Sequence, residues 1–356
     1  MKKLLQIAYP TITSYPGRAN FYAITETDNR IFPWLMERYI QTESLFNPNT
    51  LECDIDFFLP PQFQYSSHTA LESQNTFCPL VENYSFFIDF IDYDAIIDYI
   101  IKSIDNGYYV TLFVNTQYIS VYKSGSAILH NIFIYGYDTD KQILYIADFF
   151  ISYKYSFQNC TFCELINSIK HYNDLLYLYD NSYCNKSILS LIKIKDNVNH
   201  IFSVKTFNKN LREYLGLDNN YKKIYNLTNT YNTHENKYRA FGNLHYNNLI
   251  DYLTLCKEKN IRINNHRVFH IFFDHKTALL QRLNFINKNL FSCCNTIENF
   301  NNIVKEAQLI RNIILKHSFT GNMSVLSELI TKLSLMKISE QDILYPIEER
   351  LGNLNT

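Results

Sequence analysis

His130 and Asp148 are the two residues whose types and placing could do chemistry together. His130 sits where the apolar run Asn131 to Tyr137 (NIFIYGY) begins, just after Ser124-Gly125-Ser126. Asp148 lies near the end of a second run, Gln142 to Phe150 (QILYIADFF). The polar stretch Asp138-Thr139-Asp140-Lys141 separates the runs, so the pattern predicts a β-hairpin. With a three-residue turn, Asp138 to Asp140, Tyr137 faces Lys141 and His130 stands opposite Asp148 on one face of the sheet. A turn of two or four residues moves Asp148 to the other face. A facing imidazole and carboxylate are the base and the orienter of a nucleophilic site: the carboxylate fixes the tautomer and stabilises the imidazolium. The plain alternative is an ordinary hairpin with a polar pair at its end.

A nucleophile for such a base belongs at a helix N-terminus, where the dipole favours a thiolate and backbone N–H groups can receive an oxyanion. The segment Tyr15-Pro16-Gly17-Arg18-Ala19-Asn20-Phe21-Tyr22-Ala23-Ile24 has that look, a Pro-Gly turn leading into a short apolar stretch. It holds no cysteine and no serine; Thr25 and Thr27 are the nearest hydroxyls downstream.

The elements that must position these residues change character near residue 200. Before it, Tyr108 to Val114 (YYVTLFV), the two hairpin runs and Ser187 to Lys195 read as strands, and helices are expected around Asn29 to Thr42, Tyr93 to Ile104 and Cys163 to Tyr172. Val81 to Tyr93 is ambiguous. From about residue 206 the apolar residues recur at helical spacing, as in Leu249, Leu253 and Cys256, in Leu279, Leu280, Leu283 and Ile286, and in Ile303, Ala307, Ile310 and Ile314. Asn226 to Asn236 reads as an exposed connector. The expected plan is an α+β domain over residues 1–200 with an antiparallel sheet, followed by an all-helical domain over 201–356.

Composition narrows the function. Eight glycines and eight prolines in 356 residues are well under half of ordinary usage, which is about 12% for the two together. No GxGxxG or GxxxxGK[ST] can be written from those glycines, which argues against a phosphate-cradling loop. The formal charge of −1 carries no nucleic-acid or polybasic membrane signature. The start, MKKLLQIAYPTITSYPG, opens like a signal peptide, but its apolar stretch is short, Gln6 breaks it, and no A-x-A follows. No window approaches 18 uninterrupted apolar residues, so a cytoplasmic chain without a transmembrane helix and with reduced thiols is expected.

The run Gly107-Tyr108-Tyr109-Val110, His130, Tyr135-Gly136-Tyr137-Asp138 and the strand ending Ala147-Asp148-Phe149 resemble a papain-like acyltransferase group, that of the N-terminal domain of butirosin biosynthesis protein H and the closthioamide transacylase. Trp34 with Tyr39-Ile40-Gln41, and Asp274-His275-Lys276 followed by Arg282, look like further landmarks, so the resemblance spans nearly the whole chain. It implies a papain-like fold with a Cys–His–Asp site. In that group the cysteine sits in a G-x-C-x-x-x-A-[LI]-like stretch; here Gly17, Ala23 and Ile24 fall into place and Ala19 occupies the cysteine position. Three explanations stand: an engineered Cys→Ala substitution, a natural loss that leaves a binding protein, or a nucleophile elsewhere. Cys53 and Cys78 are poor substitutes, since neither opens a helix. The implied reaction takes an acyl group from a carrier-protein thioester and passes it to a small amine, forming an amide in natural-product assembly. The expected partner is an acyl or peptidyl carrier protein, which brings its own phosphopantetheine; no cofactor or metal of the chain's own is implied. Hydrolysis by a cysteine peptidase or amidase, and binding by an inactive homologue, are the competing readings.

Thr13, Ser14, Tyr15 and the backbone N–H of residue 19 are oxyanion candidates beside that site. Other polar groups carry weaker signals. Cys160-Thr161-Phe162-Cys163 is a lone CxxC, and His266 and His270, with His275 nearby, have helical ligand spacing but no completing carboxylates. Arg262, Arg267 and Arg282 with Lys257 and Lys259 could make a cationic face for an acidic carrier protein, or an ordinary solvated helix face. The 29 tyrosines and 26 phenylalanines could line an acyl pocket or pack the core.

Overall fold

The computed structural model describes residues 1–58, 78–87, 92–122, 127–151, 154–172, 174–175, 188–219 and 238–354. Ser124-Gly125-Ser126, Cys184 and the Asn226 to Asn236 connector lie outside the described residues. The fold is α+β with antiparallel sheets and a helical C-terminal part. The chain divides into two units, Met1–Phe32 with Tyr65–His200 and Pro33–Gln64 with Ile201–Thr356.

The first unit is built on strands β1 (Lys2–Leu4), β4 (Val81–Phe87), β5 (Tyr109–Asn115), β6 (Leu129–Asp138), β7 (Ile143–Ile151), β8 (Lys154–Thr161) and β9 (Ile188–Ile194), while β2 (Thr42–Asn47) and β3 (Glu52–Phe57) belong to the other unit. They form one sheet in the order β4-β9-β5-β6-β7-β8, with β1 added to β6. The ambiguous stretch is thus partly the edge strand β4, and β8 is a strand that the sequence reading lacked. Strand alternation sends Val110, Leu112, Val114, Ile132, Ile134 and Ile146 into one core. On that face lie α3 (Ile96–Asp105), with Ile96, Ile97, Ile100 and Ile104 at helical spacing, and α4 (Phe162–Lys170), with Leu165 and Ile169. A capping box fixes the start of α4: the Thr161 hydroxyl accepts from the Glu164 N–H at 3.1 Å while the Glu164 carboxylate accepts from the Thr161 N–H at 2.6 Å. The reverse face carries buried Phe133 and Ala147, and α1 (Pro16–Thr25) packs against β7. Pro16 suits the first turn of α1, where its missing N–H would have had no intrahelical partner.

β1 depends on one glycine. Leu4 pairs with Gly136, and a Cβ at that position would lie 2.5 Å from Leu4 Cδ2 and 2.6 Å from the Lys3 carbonyl oxygen. Gly136→Ala should therefore cost about 1–3 kcal/mol by forcing β1 away, read as a lowered urea midpoint. An unchanged midpoint would show that β1 yields freely.

The second unit contains α5 (Val204–Leu215), α6 (His245–Glu258), α7 (Arg267–Asn289), α8 (Cys294–Thr320) and α9 (Val325–Asn353). It also has a small sheet, β10-β2-β3, of β2 (Thr42–Asn47), β3 (Glu52–Phe57) and β10 (Arg239–Phe241). This differs from the expected 1–200 and 201–356 division, and from an all-helical second domain. Residues 33–64 join the second unit because β2 hydrogen-bonds to β10, Leu45 lying against Arg239. The expected helix from Asn29 to Thr42 shrinks to α2 (Phe32–Met36): Tyr39 takes a left-handed φ of 56° and Thr42 already begins a strand.

Candidate active site

The turn between β6 and β7 has four residues, Thr139 to Gln142, and not the expected three, so Asp138 pairs with Ile143. Alone, that would put Asp148 on the far face from His130. A β-bulge between Ile134 and Gly136 takes up one residue, and the register becomes Phe133 opposite Ala147. The bulged Tyr135 offers its carbonyl to the Leu5 N–H at 2.8 Å. Extending this register, Asp148 returns to the face of His130 but lies diagonal to it rather than opposite. β5 confirms that face independently, since His130 pairs with Val114, a core residue.

His130 Nδ1 and Asp148 Oδ2 are 2.6 Å apart, with the imidazole 28% exposed and the carboxylate 1%. The approach becomes an ion pair when His130 is protonated. Tyr122 donates its hydroxyl to the same Oδ2. Its ring meets His130 edge-on at 6.2 Å and Phe150 at 4.9 Å. Burial, with the Asp148 charge beside it, pushes the Tyr122 phenol well up, so it stays a donor. Asp148 Oδ1 is buried and accepts no hydrogen bond among the described residues. Tyr122 was invisible from sequence: it lies outside any periodic run.

Ala19 lies in the first turns of α1 and is fully buried. The next residue, Asn20, accepts a hydrogen bond from the Tyr155 hydroxyl at 2.8 Å. Asp148 pairs with Ser156, so the adjacent Tyr155 points to the reverse face of the sheet. The structure thus brings His130 and Asp148 together and anchors the helix of position 19 through the other face. The pairing of β6 with β7 stops at Phe133 and Ala147, before either polar residue. Of the oxyanion candidates, the N–H of Ala19 already donates to the Tyr15 carbonyl at 2.9 Å. Ser14 Oγ is buried with no hydrogen bond among the described residues. The Tyr15 ring carries the Arg18 guanidinium at 4.7 Å.

The remaining candidates take structural places. Cys53 is buried in β3 and Cys78 is buried, and burial pushes the Cys53 thiol well up. Cys160 is buried in β8 with its thiol pushed up by burial, whereas Cys163 is exposed on α4. Arg282 cannot serve a cationic surface: it is 1% exposed and donates to the carbonyls of Leu35 at 3.0 Å, Arg38 at 2.9 Å and Ala278 at 2.6 Å. Arg262 is exposed and donates to the Ser318 carbonyl at 2.7 Å. His270 lies 3.7 Å from Asp274, and His275 donates to the Ile40 carbonyl at 2.8 Å. Among the described residues, no group of three or more His, Cys, Asp or Glu could hold a metal ion.

The second unit also buries a polar network that only its landmark residues foreshadowed. Lys276, wholly buried, pairs with Glu340 Oε2 at 2.8 Å and donates to Glu340 Oε1 at 3.1 Å, to the Tyr214 hydroxyl at 2.9 Å and to His245 Nε2 at 3.2 Å. Three acceptors satisfy all three ammonium protons. Thr42 donates to the Gly242 carbonyl at 3.1 Å, so its lone pair accepts from His245 Nδ1 at 2.9 Å and leaves Nε2 free to receive the lysine. Tyr246 and Tyr214 both donate to Glu340. Burial, then the neighbouring Lys276 charge, holds His245 and His275 well below the usual histidine range, and burial brings Lys276 down to about 8. All three bind protons less readily folded than unfolded. Stability should therefore fall as pH drops below about 6.5, where the unfolded histidines charge, and rise with pH between about 8 and 10.5, where only the unfolded lysine stays charged. Urea midpoints at pH 5, 7.5 and 10 test this; a flat profile would contradict it.

No family model and no curated protein matches the chain. Among the described residues, no helix is long and apolar enough to cross a membrane.

Proposed function

We propose that the first unit is a papain-like acyl-transfer scaffold in which His130 is the base, Asp148 its orienter and position 19 the nucleophile site. The observation that carries this reading is the 2.6 Å approach of a half-buried imidazole to a fully buried carboxylate on one strand pair. A thiolate at position 19 would attack the carbonyl of a carrier-protein thioester, and His130 would hand the proton to the departing carrier thiol. An amine would then attack the acyl-enzyme, lose its proton to His130 and release an amide and the free thiol. Exclusion of water favours amide over acid at such a site. With alanine at 19, the chain as it stands binds the donor without taking its acyl group.

Ala19→Cys should create a site that becomes acylated by an acyl-loaded carrier protein, seen as an acyl mass increment on the intact chain. Added amine should then discharge it as the amide. Acid release regardless of amine supports a hydrolase instead. A complete lack of adduct supports a binding role, a reading that the full burial of Ala19 favours.

A further inference from the structure

We propose that Tyr122 is a positioning residue that lowers the basicity of His130 by holding the carboxylate oxygen of Asp148 that the imidazole also approaches. The inference rests on His130 being the working base of the proposed site.

Two donors converge on one oxygen. His130 Nδ1 and the Tyr122 hydroxyl both address Asp148 Oδ2, while Oδ1 accepts nothing among the described residues. A carboxylate stabilises an imidazolium through the charge it presents to the ring. A phenol donating to that same oxygen draws part of the charge away, and does so strongly where burial removes competing water. The phenol makes its hydrogen bond to the oxygen that the imidazole approaches at 2.6 Å. Phe150 packs against its ring at 4.9 Å and holds the phenol there.

Two described titratable neighbours of this cluster carry no charge of their own. Tyr155, from β8, feels the Asp148 charge but is held neutral, its phenol raised by burial. Cys160, also from β8, lies within reach of Tyr122, and burial with Glu164 nearby keeps it a thiol. Asp148 is the carboxylate that the Tyr122 phenol and the His130 imidazole share. A general base works best when its midpoint lies near the operating pH, and a fully paired buried carboxylate would lift an imidazole above that range. Tyr122 offsets that lift.

The test is an NMR titration of the His130 imidazole in the full chain, which needs no substrate. Tyr122→Phe should raise its midpoint by about one pH unit, and Asp148→Asn should lower it. Replacing Tyr122 by 3-fluorotyrosine, a more acidic phenol of nearly the same shape, should lower the midpoint and covers the case in which the phenylalanine variant fails to fold. An unchanged or lowered midpoint in a folded Tyr122→Phe protein overturns the proposal, as does an unmoved midpoint with fluorotyrosine. Acylation of the Ala19→Cys protein is read separately. Its absence would sink the acyl-transfer reading while the titration still reports on Tyr122.

Discussion

Glu340→Ala should lower the unfolding free energy of the second unit by about 3–5 kcal/mol, among the largest single effects expected in this chain. Glu340 is 1% exposed and receives Lys276, Tyr214 and Tyr246. Its removal leaves a wholly buried ammonium without its counter-charge and two phenols without their acceptor. The aromatic rings of Tyr246 and Phe272, 4.5 Å and 4.8 Å from the ammonium, soften the loss but cannot replace a carboxylate. A Lys276→Met, Glu340→Leu double variant should recover a large part of the loss, because the expense lies in an unpaired buried charge rather than in the missing attraction. Denaturant titration of the three proteins measures both numbers. Equal destabilisation of the single and double variants would show that the network's worth is in its hydrogen bonds.

In the Ala19→Cys background, His130→Ala should slow acyl-enzyme formation by about 10²–10⁴-fold. Asp148→Asn should cost nearly as much, because an amide cannot stabilise the imidazolium and can turn the ring to the wrong tautomer. The measurement is the rate of mass gain from an acyl-loaded carrier protein, with folding checked by circular dichroism. A cysteine at 19 that acylates at the same rate with and without His130 would divorce the two positions. That is a real alternative, given that α1 is tied through Asn20 to the face opposite Asp148.

Much of the first unit was legible because its strands are written twice, once as apolar alternation and once as turn residues. Tyr109–Asn115, Leu129–Asp138 and Ile143–Ile151 each lie within one or two residues of their expected bounds. The His130–Asp148 approach was legible in outcome and not in route. The turn is one residue longer than expected, and the bulge that compensates it has no local signature, since it depends on β1 arriving from 130 residues away. The same reason hid the transfer of residues 33–64 to the second unit: the partner of β2 is β10, nearly 200 residues downstream. Arg282 shows the opposite failure. A grouping of basic residues suggested a surface, yet the carbonyls of Leu35 in α2 and of Arg38 just after it hold this one in the core. Position 19 could be found only by resemblance, because an alanine carries no chemical signal of its own.

The bulge at Tyr135 makes the hairpin sensitive to parity. Two irregularities of one residue each, an over-long turn and a bulge, cancel to keep His130 and Asp148 on one face. Insertions or deletions between Thr139 and Gln142 should therefore be tolerated in pairs and not singly. An odd change would turn Asp148 to the reverse face while leaving every strand intact. The hairpin can lengthen or shorten by two residues and keep its polar pair, so loop variation at this tip is constrained by counting rather than by composition.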